Sequence, residues 1–294
     1  MSARQHLAHA LHTMTPQLGR NVLAPGIIAV RDIHQTAVIP TVYTPALCLI
    51  AQGEKQIYLE DETYTYDETR LLLFAVDLPI MAQVTRATLE QPYLGLRINL
   101  DPSKIATLVP KIFPQGIPDP SAMRGVYVTD THDAIVQSAT RLVELFAHPD
   151  DAPLIAPLII EELLIRLLRS PIGSRVAQIG LRESHIQRIS RAIDWIRMHY
   201  DKPMQIDDLA AMVHMSNSAF HHHFKIITAM TPLQYQKMLR LQHARQLMIS
   251  ADCDATHAAV QVGYASPSQF SREYRRLFGE SPSRDVARWR HTAP

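Results

Sequence analysis

The chain has 294 residues, of which 47% are hydrophobic and 19% are charged, and this composition excludes a disordered protein. Its length allows two domains, each with a core of its own. The formal net charge of +1 is unevenly spread along the chain. From Arg182 onward there are 15 Lys and Arg and 10 Asp and Glu, a net charge of +5. Residues 1–181 contain 14 Lys and Arg and 18 Asp and Glu, a net charge of −4. This asymmetry predicts a polyanionic partner for the C-terminal part alone.

Neither the N-terminus nor the cysteines indicate secretion. Residues 1–14 contain no sustained apolar run, so we expect no signal peptide. The most apolar stretch, 154–168, is interrupted by Pro157, Glu161 and Glu162, which argues against a membrane span. The chain contains two cysteines, too few for a disulfide framework or a CxxC metal knuckle. We therefore expect a cytoplasmic protein that does not associate with a membrane.

Residues 22–100 are predicted to form β-strands. Short runs rich in Ile, Val, Leu and Tyr recur at 46–51, 55–59, 63–66, 71–76 and 94–100. Turn-forming residues separate them, among them Gly53, Asp61 and the pair Leu78-Pro79. Short strands at this regular spacing favour a small antiparallel barrel or sandwich.

Helical patterns follow a proline-rich connector at 113–120. One helix is predicted over 134–147 and a second over 156–168, whose apolar stripe is wider than a single core contact requires. Packing onto the barrel and a dimer face both explain this stripe, and the sequence leaves the two open. We assign residues 1–173 to an N-terminal domain, 174–183 to a linker and 184–294 to a C-terminal domain.

The C-terminal domain carries three matching helix-start signals. Each has a hydroxyl residue followed three positions later by glutamine, as in Ser184-x-x-Gln187, Thr231-x-x-Gln234 and Ser266-x-x-Gln269. The last two also place proline at the first helical position. These signals predict an all-α domain and fix where its helices begin.

A pattern repeated at an offset of 50 residues predicts two helix-turn-helix units. Phe220, Phe224 and Ile227 lie at i, i+4 and i+7, and Phe270, Tyr274 and Leu277 repeat that spacing. A short apolar helix and a turn precede each set, with His214 and Gly263 at the equivalent turn position. We place the two units at about 206–226 and 255–278. A domain with two such units presents one helix to each of two successive major grooves of DNA.

With the aromatic residues facing inward, the opposite face of each second helix presents polar side chains to solvent. The candidate DNA-binding residues are Ser218, His221, His222 and Lys225 in the first unit and Ser268, Ser271, Arg272 and Arg275 in the second. The run His221–His223 does not predict a metal site, because consecutive helical residues point about 100° apart, whereas helical metal ligands are spaced by three or four residues.

These segments closely resemble the AraC/XylS family of bacterial transcription regulators. The similarity is carried by 214–225, by 231–235 and 239–245, and by the long run 262–279 followed by Ser281-Pro282. It implies a sequence-specific DNA-binding transcription regulator, activator or repressor. The partners it implies are double-stranded promoter DNA and a small-molecule effector, and it leaves a second copy of the chain and RNA polymerase open as further partners.

The N-terminal part resembles the subgroup whose regulatory domain is a cupin-like barrel, through 45–55, 77–79 and 92–101. The implied fold class is α+β: an N-terminal cupin-like antiparallel β-barrel with flanking helices, followed by the all-α domain. Metal-binding cupins carry an HxH motif, which this barrel lacks, since His34 stands alone. We therefore expect no metal, no cofactor and no enzymatic activity.

Cys48 is the barrel residue with the most distinctive chemistry and is our effector-pocket candidate. It serves either as a small buried thiol or as a sensor of electrophiles or oxidants. Some relatives of this subgroup respond to reactive aldehydes, so the resemblance makes an aldehyde one candidate effector. Two other classes of function stay open: a cupin-type enzyme, and a co-regulator that binds protein through the 156–168 helix and contacts DNA only weakly.

Overall fold

A computed structural model describes residues 1–118, 124–250 and 253–292. The chain forms two compact units. The first holds Met1–Ser190 together with Ile226–Ala229, and the second holds Arg191–Lys225 and the chain from Met230 onward. No helix among the described residues is both long and apolar enough to cross a membrane.

The first unit is built on two antiparallel sheets. Its strands are β1 Gly19–Ala24, β2 Ile27–Asp32, β3 Ile39–Tyr43, β4 Ala46–Gln52, β5 Glu54–Leu59, β6 Glu62–Asp67, β7 Arg70–Phe74, β8 Leu78–Arg86, β9 Tyr93–Asn99 and β10 Val126–Asp130. One sheet has the order β1-β2-β9-β4-β7-β10 and the other the order β3-β8-β5-β6. Their inner faces meet, as the rings of Tyr43 on β3 and Phe74 on β7 show, with centroids 4.6 Å apart.

Five helices accompany these sheets, and the first of them packs on the larger sheet. They are α1 Ala3–Met14, α2 Pro102–Ile112, α3 Asp133–Leu145, α4 Ala152–Leu168 and α5 Gly173–Gly180. Helix α1 packs against α3 and β4, and α3 packs against α4. Most of the segment that we assigned to a linker, 174–183, lies in α5, which packs on α2. The domain boundaries at 173 and 184 stay a prediction.

The sheets and helices confirm the predicted α+β class. The structure also contains all five predicted strands, with ends shifted by at most two residues from 46–51, 55–59, 63–66, 71–76 and 94–100. The turn predicted at Leu78-Pro79 is wrong. Both residues begin β8, where Leu78 pairs with Tyr43 and Pro79 with Val42. Proline is compatible with the first residues of a strand.

From His185 onward, the described residues form helices and their connections and no strand. The remaining helices are α6 His185–Met198, α7 Ile206–Met212, α8 Asn217–Thr228, α9 Pro232–Ser250, α10 Ala255–Gln261, α11 Pro267–Phe278 and α12 Pro282–Thr292. The three predicted caps are confirmed: Ser184, Thr231 and Ser266 accept hydrogen bonds from the backbone N–H of Gln187, Gln234 and Gln269. Around α9, a core of Leu241, Ala244, Met248, Phe270 and Tyr274 holds α10, α11 and α12 together.

Candidate nucleic-acid interface and barrel interior

Both predicted helix-turn-helix turns have the same backbone geometry. In the first, the N–H of His214 donates to Ala211 O at 3.0 Å, and that of Met215 to Ala210 O at 2.9 Å. In the second, Gly263 donates to Val260 O at 3.0 Å and Tyr264 to Ala259 O at 2.9 Å. This pair of bonds is the Schellman motif, which needs a left-handed residue just after the helix. His214 and Gly263 supply it, with φ of +55° and +83°.

The second helix of each unit begins at a serine cap. Ser216 Oγ accepts from the N–H of Ala219 at 3.3 Å at the start of α8. Ser266 Oγ accepts from the N–H of Gln269 at 3.3 Å at the start of α11, where Pro267 occupies the first helical position. Each cap satisfies an N–H that would otherwise lack a partner and so sets where the helix starts.

The repeated aromatic pattern fixes which face of each helix points inward. Phe220, Phe224, Phe270 and Tyr274 have no measurable solvent exposure, and Ile227 is also buried. The Phe224 ring meets the edge of Tyr235 on α9, with centroids 5.6 Å apart. Leu277 is partly buried against the core around α9. The inward orientation of α8 and α11 therefore follows the predicted spacing.

All eight candidate DNA-binding residues are exposed. On α8 these are Ser218, His221, His222 and Lys225, and on α11 they are Ser268, Ser271, Arg272 and Arg275. In both helices the positions are i, i+3, i+4 and i+7, so each set forms one continuous face. Within the described part of the chain, Arg272 and Arg275 lie within 4.0 Å of no carboxylate. Their contact with DNA stays a prediction.

Sequence reasoning overlooked Arg276, which is exposed beside this face. The signal was present, because Arg276 lies four residues after Arg272 and therefore one turn further along α11. The three arginines give the second recognition helix a denser positive charge than the first, where Lys225 is the basic residue of the exposed set.

The ammonium and guanidinium groups on α9 are paired with other groups of the second unit. Lys237 Nζ lies 3.1 Å from Glu273 Oε1. Arg245, which is buried, donates to both carboxylate oxygens of Asp285, at 2.6 and 3.2 Å. Arg240 donates to the backbone oxygens of Tyr200, Lys202 and Gly263 at 2.6–3.0 Å. These contacts tie α9 to the 200–202 segment, to the turn of the second helix-turn-helix unit, and to α11 and α12.

Cys48 lies on the inner face of the first sheet. It is 3% exposed and lies opposite Leu72 on β7 and Arg97 on β9. Burial raises the pKa of the Cys48 thiol to about 12, against the smaller opposing influence of Lys55 and Arg97. Since the thiolate is the nucleophile, a thiol held protonated is a poor sensor of electrophiles. The environment favours a small buried side chain.

The same interior contains a buried lysine that the sequence analysis did not single out. Lys55 on β5 is 9% exposed, and its ammonium donates to Tyr43 Oη at 3.0 Å. Burial lowers the pKa of Lys55, electrostatic interactions with Tyr43 and Tyr93 and the hydrogen bond to Tyr43 raise it, and the net direction is upward. Its position in an alternating strand was the available signal, because residues 55, 57 and 59 all face inward.

Known proteins resemble both units. Residues 24–175, slightly more than half of the chain, match the family described as AraC-type transcriptional regulator N-terminus, and 209–288 match a helix-turn-helix domain. The HTH-type transcriptional regulator ExsA of Pseudomonas aeruginosa is 30% identical over 143 residues, which are 49% of this chain and 51% of ExsA. The activator RhaS of Escherichia fergusonii is 34% identical over 95 residues, which are 32% of this chain and 34% of RhaS.

Among solved structures, ToxT of Vibrio cholerae with a bound unsaturated fatty acid has a TM-score of 0.54 at 9% identity, covering 89% of this chain and 93% of ToxT. That likeness concerns the fold. The chain spans about half the length of the curated relatives it matches. The N-terminal region matches the family described as AraC-type transcriptional regulator N-terminus, and the C-terminal region matches a helix-turn-helix domain. The chain therefore belongs to the AraC-type transcriptional regulators.

Proposed function

We propose that this protein regulates transcription by binding promoter DNA in the bacterial cytoplasm and that a small molecule in the N-terminal barrel controls it. One observation carries the DNA-binding part: two helix-turn-helix units of the same turn geometry present matched, exposed polar faces on α8 and α11. The recognition helices would enter adjacent major-groove segments about 34 Å apart. Arginine and lysine contacts to phosphate supply affinity, and side chains at base edges supply sequence preference.

The effector part of the proposal is supported by the barrel and by ToxT, whose solved structures contain an unsaturated fatty acid and a substituted butenoic acid. A reversible, non-covalent effector fits the interior better than a reactive aldehyde, because Cys48 is buried with its pKa raised to about 12. We propose a regulatory and not an enzymatic role, because the relatives ExsA and RhaS are transcriptional regulators. The proposed role includes contact with RNA polymerase.

A gel-shift titration with the DNA upstream of the protein's own gene tests this function. We expect a specific complex whose affinity falls as salt rises, because binding to phosphates releases condensed cations. Binding no tighter than to random DNA of the same length, at this promoter and after selection from random sequence, would contradict the DNA-binding role. That result would favour the enzyme or the protein-binding co-regulator.

Replacing Arg272 with alanine tests the assignment of the α11 face. We expect the variant to lose about 1–3 kcal/mol of specific binding and to relax base preference at one position. Arg191→Ala is the matched control, because Arg191 is exposed in the same unit but lies outside both recognition helices. Binding-site selection measures the preference, and uniform weakening on all sequences would make Arg272 a phosphate contact instead.

The exposed start of α4 supports a homodimer. Leu154 and Leu158, one turn apart, are 75% and 66% exposed, and Ile155 beside them is 40% exposed, whereas Leu163, Leu164 and Leu167 further along are buried. The wide apolar stripe of this helix therefore has two parts, one packed in the core and one facing solvent. An exposed cluster of large apolar side chains is typical of a protein interface.

Replacing Leu158 with glutamate should weaken self-association at least tenfold, because the substitution places a charge inside the apolar contact. Sedimentation velocity over a concentration series measures the dissociation constant. Leu89→Glu is the control, since Leu89 is similarly exposed at 67% in the same unit but lies outside α4. A wild-type chain that stays monomeric at the highest concentration would refute the α4 dimer.

A further inference from the structure

A cluster of hydrogen bonds surrounds the carboxylate of Glu273 on the second recognition helix, α11. Both of its oxygens are occupied. Oε2 accepts from the Tyr264 hydroxyl at 2.7 Å. Oε1 accepts from the Gln269 amide Nε2 at 3.2 Å and lies 3.1 Å from Lys237 Nζ. Because Tyr264 lies in the turn before α11 and Lys237 lies on α9, the carboxylate links three elements of the second unit.

The Tyr264 side chain anchors this cluster in the core. Tyr264 is 7% exposed, and its ring meets the Phe270 ring edge-on with centroids 5.3 Å apart. On the other side, Arg240 Cζ lies 5.9 Å from the centroid of the same ring. The Glu273 side chain is itself only 21% exposed. The carboxylate is therefore held through a buried ring as well as through side chains at the surface.

The charge of Glu273 fixes the orientation of the Gln269 amide. Burial raises the pKa of Glu273, but hydrogen bonds from Tyr264, Lys237 and Gln269 lower it, and the net direction is downward from 4.5. An ionised carboxylate can only accept hydrogen bonds, whereas a glutamine amide has NH₂ donors at one end and a carbonyl acceptor at the other. The NH₂ end of Gln269 therefore faces Glu273. Its carbonyl oxygen, Oε1, makes no hydrogen bond to any residue that the structure describes.

Gln269 lies at the end of α11 that meets bases in a helix-turn-helix protein. It is the third residue of the helix, its backbone N–H is bound by the Ser266 cap, and its side chain is exposed. Arg272, of the candidate DNA-binding face, follows three positions later and so lies beside it on the helix surface. The first residues of a recognition helix contact base edges in the major groove. An exposed amide of fixed orientation therefore lies where bases are read.

The first helix-turn-helix unit has different side chains at the equivalent positions. Aligning the turns and the serine caps places Met215, Ala219 and His223 where the second unit has Tyr264, Gln269 and Glu273. Methionine has no hydroxyl and alanine has no amide. Since the two turns have the same backbone hydrogen bonds, the turn itself does not require these three side chains. Their arrangement on the second unit needs another explanation.

We propose that Gln269 reads one adenine in the major groove and that Glu273 is the positioning residue that orients its amide. Adenine presents an N6 amino donor and an N7 acceptor, which match the free carbonyl oxygen and the second N–H of Gln269. Cytosine offers the carbonyl a donor only, and guanine and thymine offer it none. This inference rests on the proposed function and deepens it, because it names a base contact of the second recognition helix.

Binding-site selection followed by affinity titration of the full chain tests the contact. We expect the wild type to select adenine at one position and to bind it at least about fivefold more tightly than guanine or thymine there. Gln269→Ala should lose that preference. Gln261→Ala is the matched control, because Gln261 is an exposed glutamine of the same unit that lies on α10. Replacing the adenine with purine, which lacks the N6 amino group, should weaken wild-type binding by a similar factor and leave Gln269→Ala unaffected.

Glu273→Gln separates positioning from packing. The new amide can donate as well as accept, so the Gln269 amide can turn over, and the adenine preference should relax to that of Gln269→Ala while preferences at other positions stay. A loss of packing alone weakens binding to all sequences by one factor. If Glu273→Gln does not fold, Glu273→Met carries the test, because it also removes the acceptor and has a similar length.

Two results would overturn the inference: a Gln269→Ala variant with the base preferences of the wild type, and an adenine preference that survives in the Glu273 variant. Both leave the proposed function standing, because the wild type still binds a specific sequence. A wild-type chain that selects no sequence would overturn the proposed function and this inference together.

Discussion

Replacing Asp285 with alanine should destabilise the C-terminal helical unit by about 3–5 kcal/mol, the cost of breaking a buried ion pair by removing one partner. Asp285 is 1% exposed and accepts hydrogen bonds from Arg245 Nε at 2.6 Å and from the Tyr274 hydroxyl at 2.7 Å. These bonds tie α9 and α11 to α12. Without the carboxylate, the buried Arg245 charge and the Tyr274 hydroxyl both lose their partner.

Tryptophan fluorescence measures this change in the intact chain. The sequence contains two tryptophans, Trp195 and Trp289, and both lie in the second unit. Trp289 also lies next to the network, with Arg245 Cζ 5.0 Å from its ring centroid. Arg288→Ala is the matched control: Arg288 contacts the same carboxylate at 3.1 Å but its side chain is 56% exposed, so we expect a loss below about 1 kcal/mol. Equal losses in the two variants would contradict the special role of the buried pair.

The same carboxylate makes the helical unit sensitive to acid. Burial raises the pKa of Asp285, but hydrogen bonds from Arg245 and Tyr274 lower it, and the net direction is downward from 3.8. A depressed pKa in the folded state contributes stability that is present above the unfolded pKa and is lost as the pH falls through the folded one. Wild-type stability by tryptophan fluorescence should therefore fall below about pH 4, and Asp285→Asn should flatten that part of the profile. An unchanged pH profile in the Asn variant would assign the acid sensitivity to other groups.

Local signals in the sequence were enough to predict the helical unit. The caps at Ser184, Thr231 and Ser266 and the repeated aromatic spacing depend on residues within a few turns of each other, and the structure confirms them. The same local geometry places the eight candidate DNA-binding residues on exposed faces, although whether they contact DNA is a property of the complex.

Features that depend on distant residues were harder to predict. Leu78-Pro79 has turn chemistry locally, yet pairing with β3 extends it into a strand. Arg245 lies on a helix rich in polar residues, and only its approach to Asp285, 40 positions away, shows that it is buried. The approach of Lys55 and Arg97 to the Tyr43 ring likewise depends on how distant strands pair, which residue spacing does not contain.

Replacing Gly263 with alanine should destabilise the second helix-turn-helix unit by about 2–5 kcal/mol, which combines the cost of a left-handed backbone with that of overpacking. The φ of Gly263 is +83°, and an added Cβ would lie 2.0 Å from the backbone oxygen of Asp201. That oxygen cannot move aside easily, because Arg240 hydrogen-bonds the carbonyls of its neighbours Tyr200 and Lys202 and that of Gly263 itself. Tryptophan-monitored unfolding measures the loss.

The equivalent residue of the first helix-turn-helix unit, His214, provides the matched comparison. His214 already tolerates a left-handed φ of +55° in the same Schellman geometry. His214→Gly should therefore change stability by less than about 1 kcal/mol, because the relief of backbone strain is offset by the greater flexibility of glycine in the unfolded chain. The two turns share a backbone but differ in their surroundings, and only the second places a backbone oxygen, that of Asp201, where a Cβ would lie. If Gly263→Ala were as mild as His214→Gly, close packing at the second turn would not be what requires glycine there.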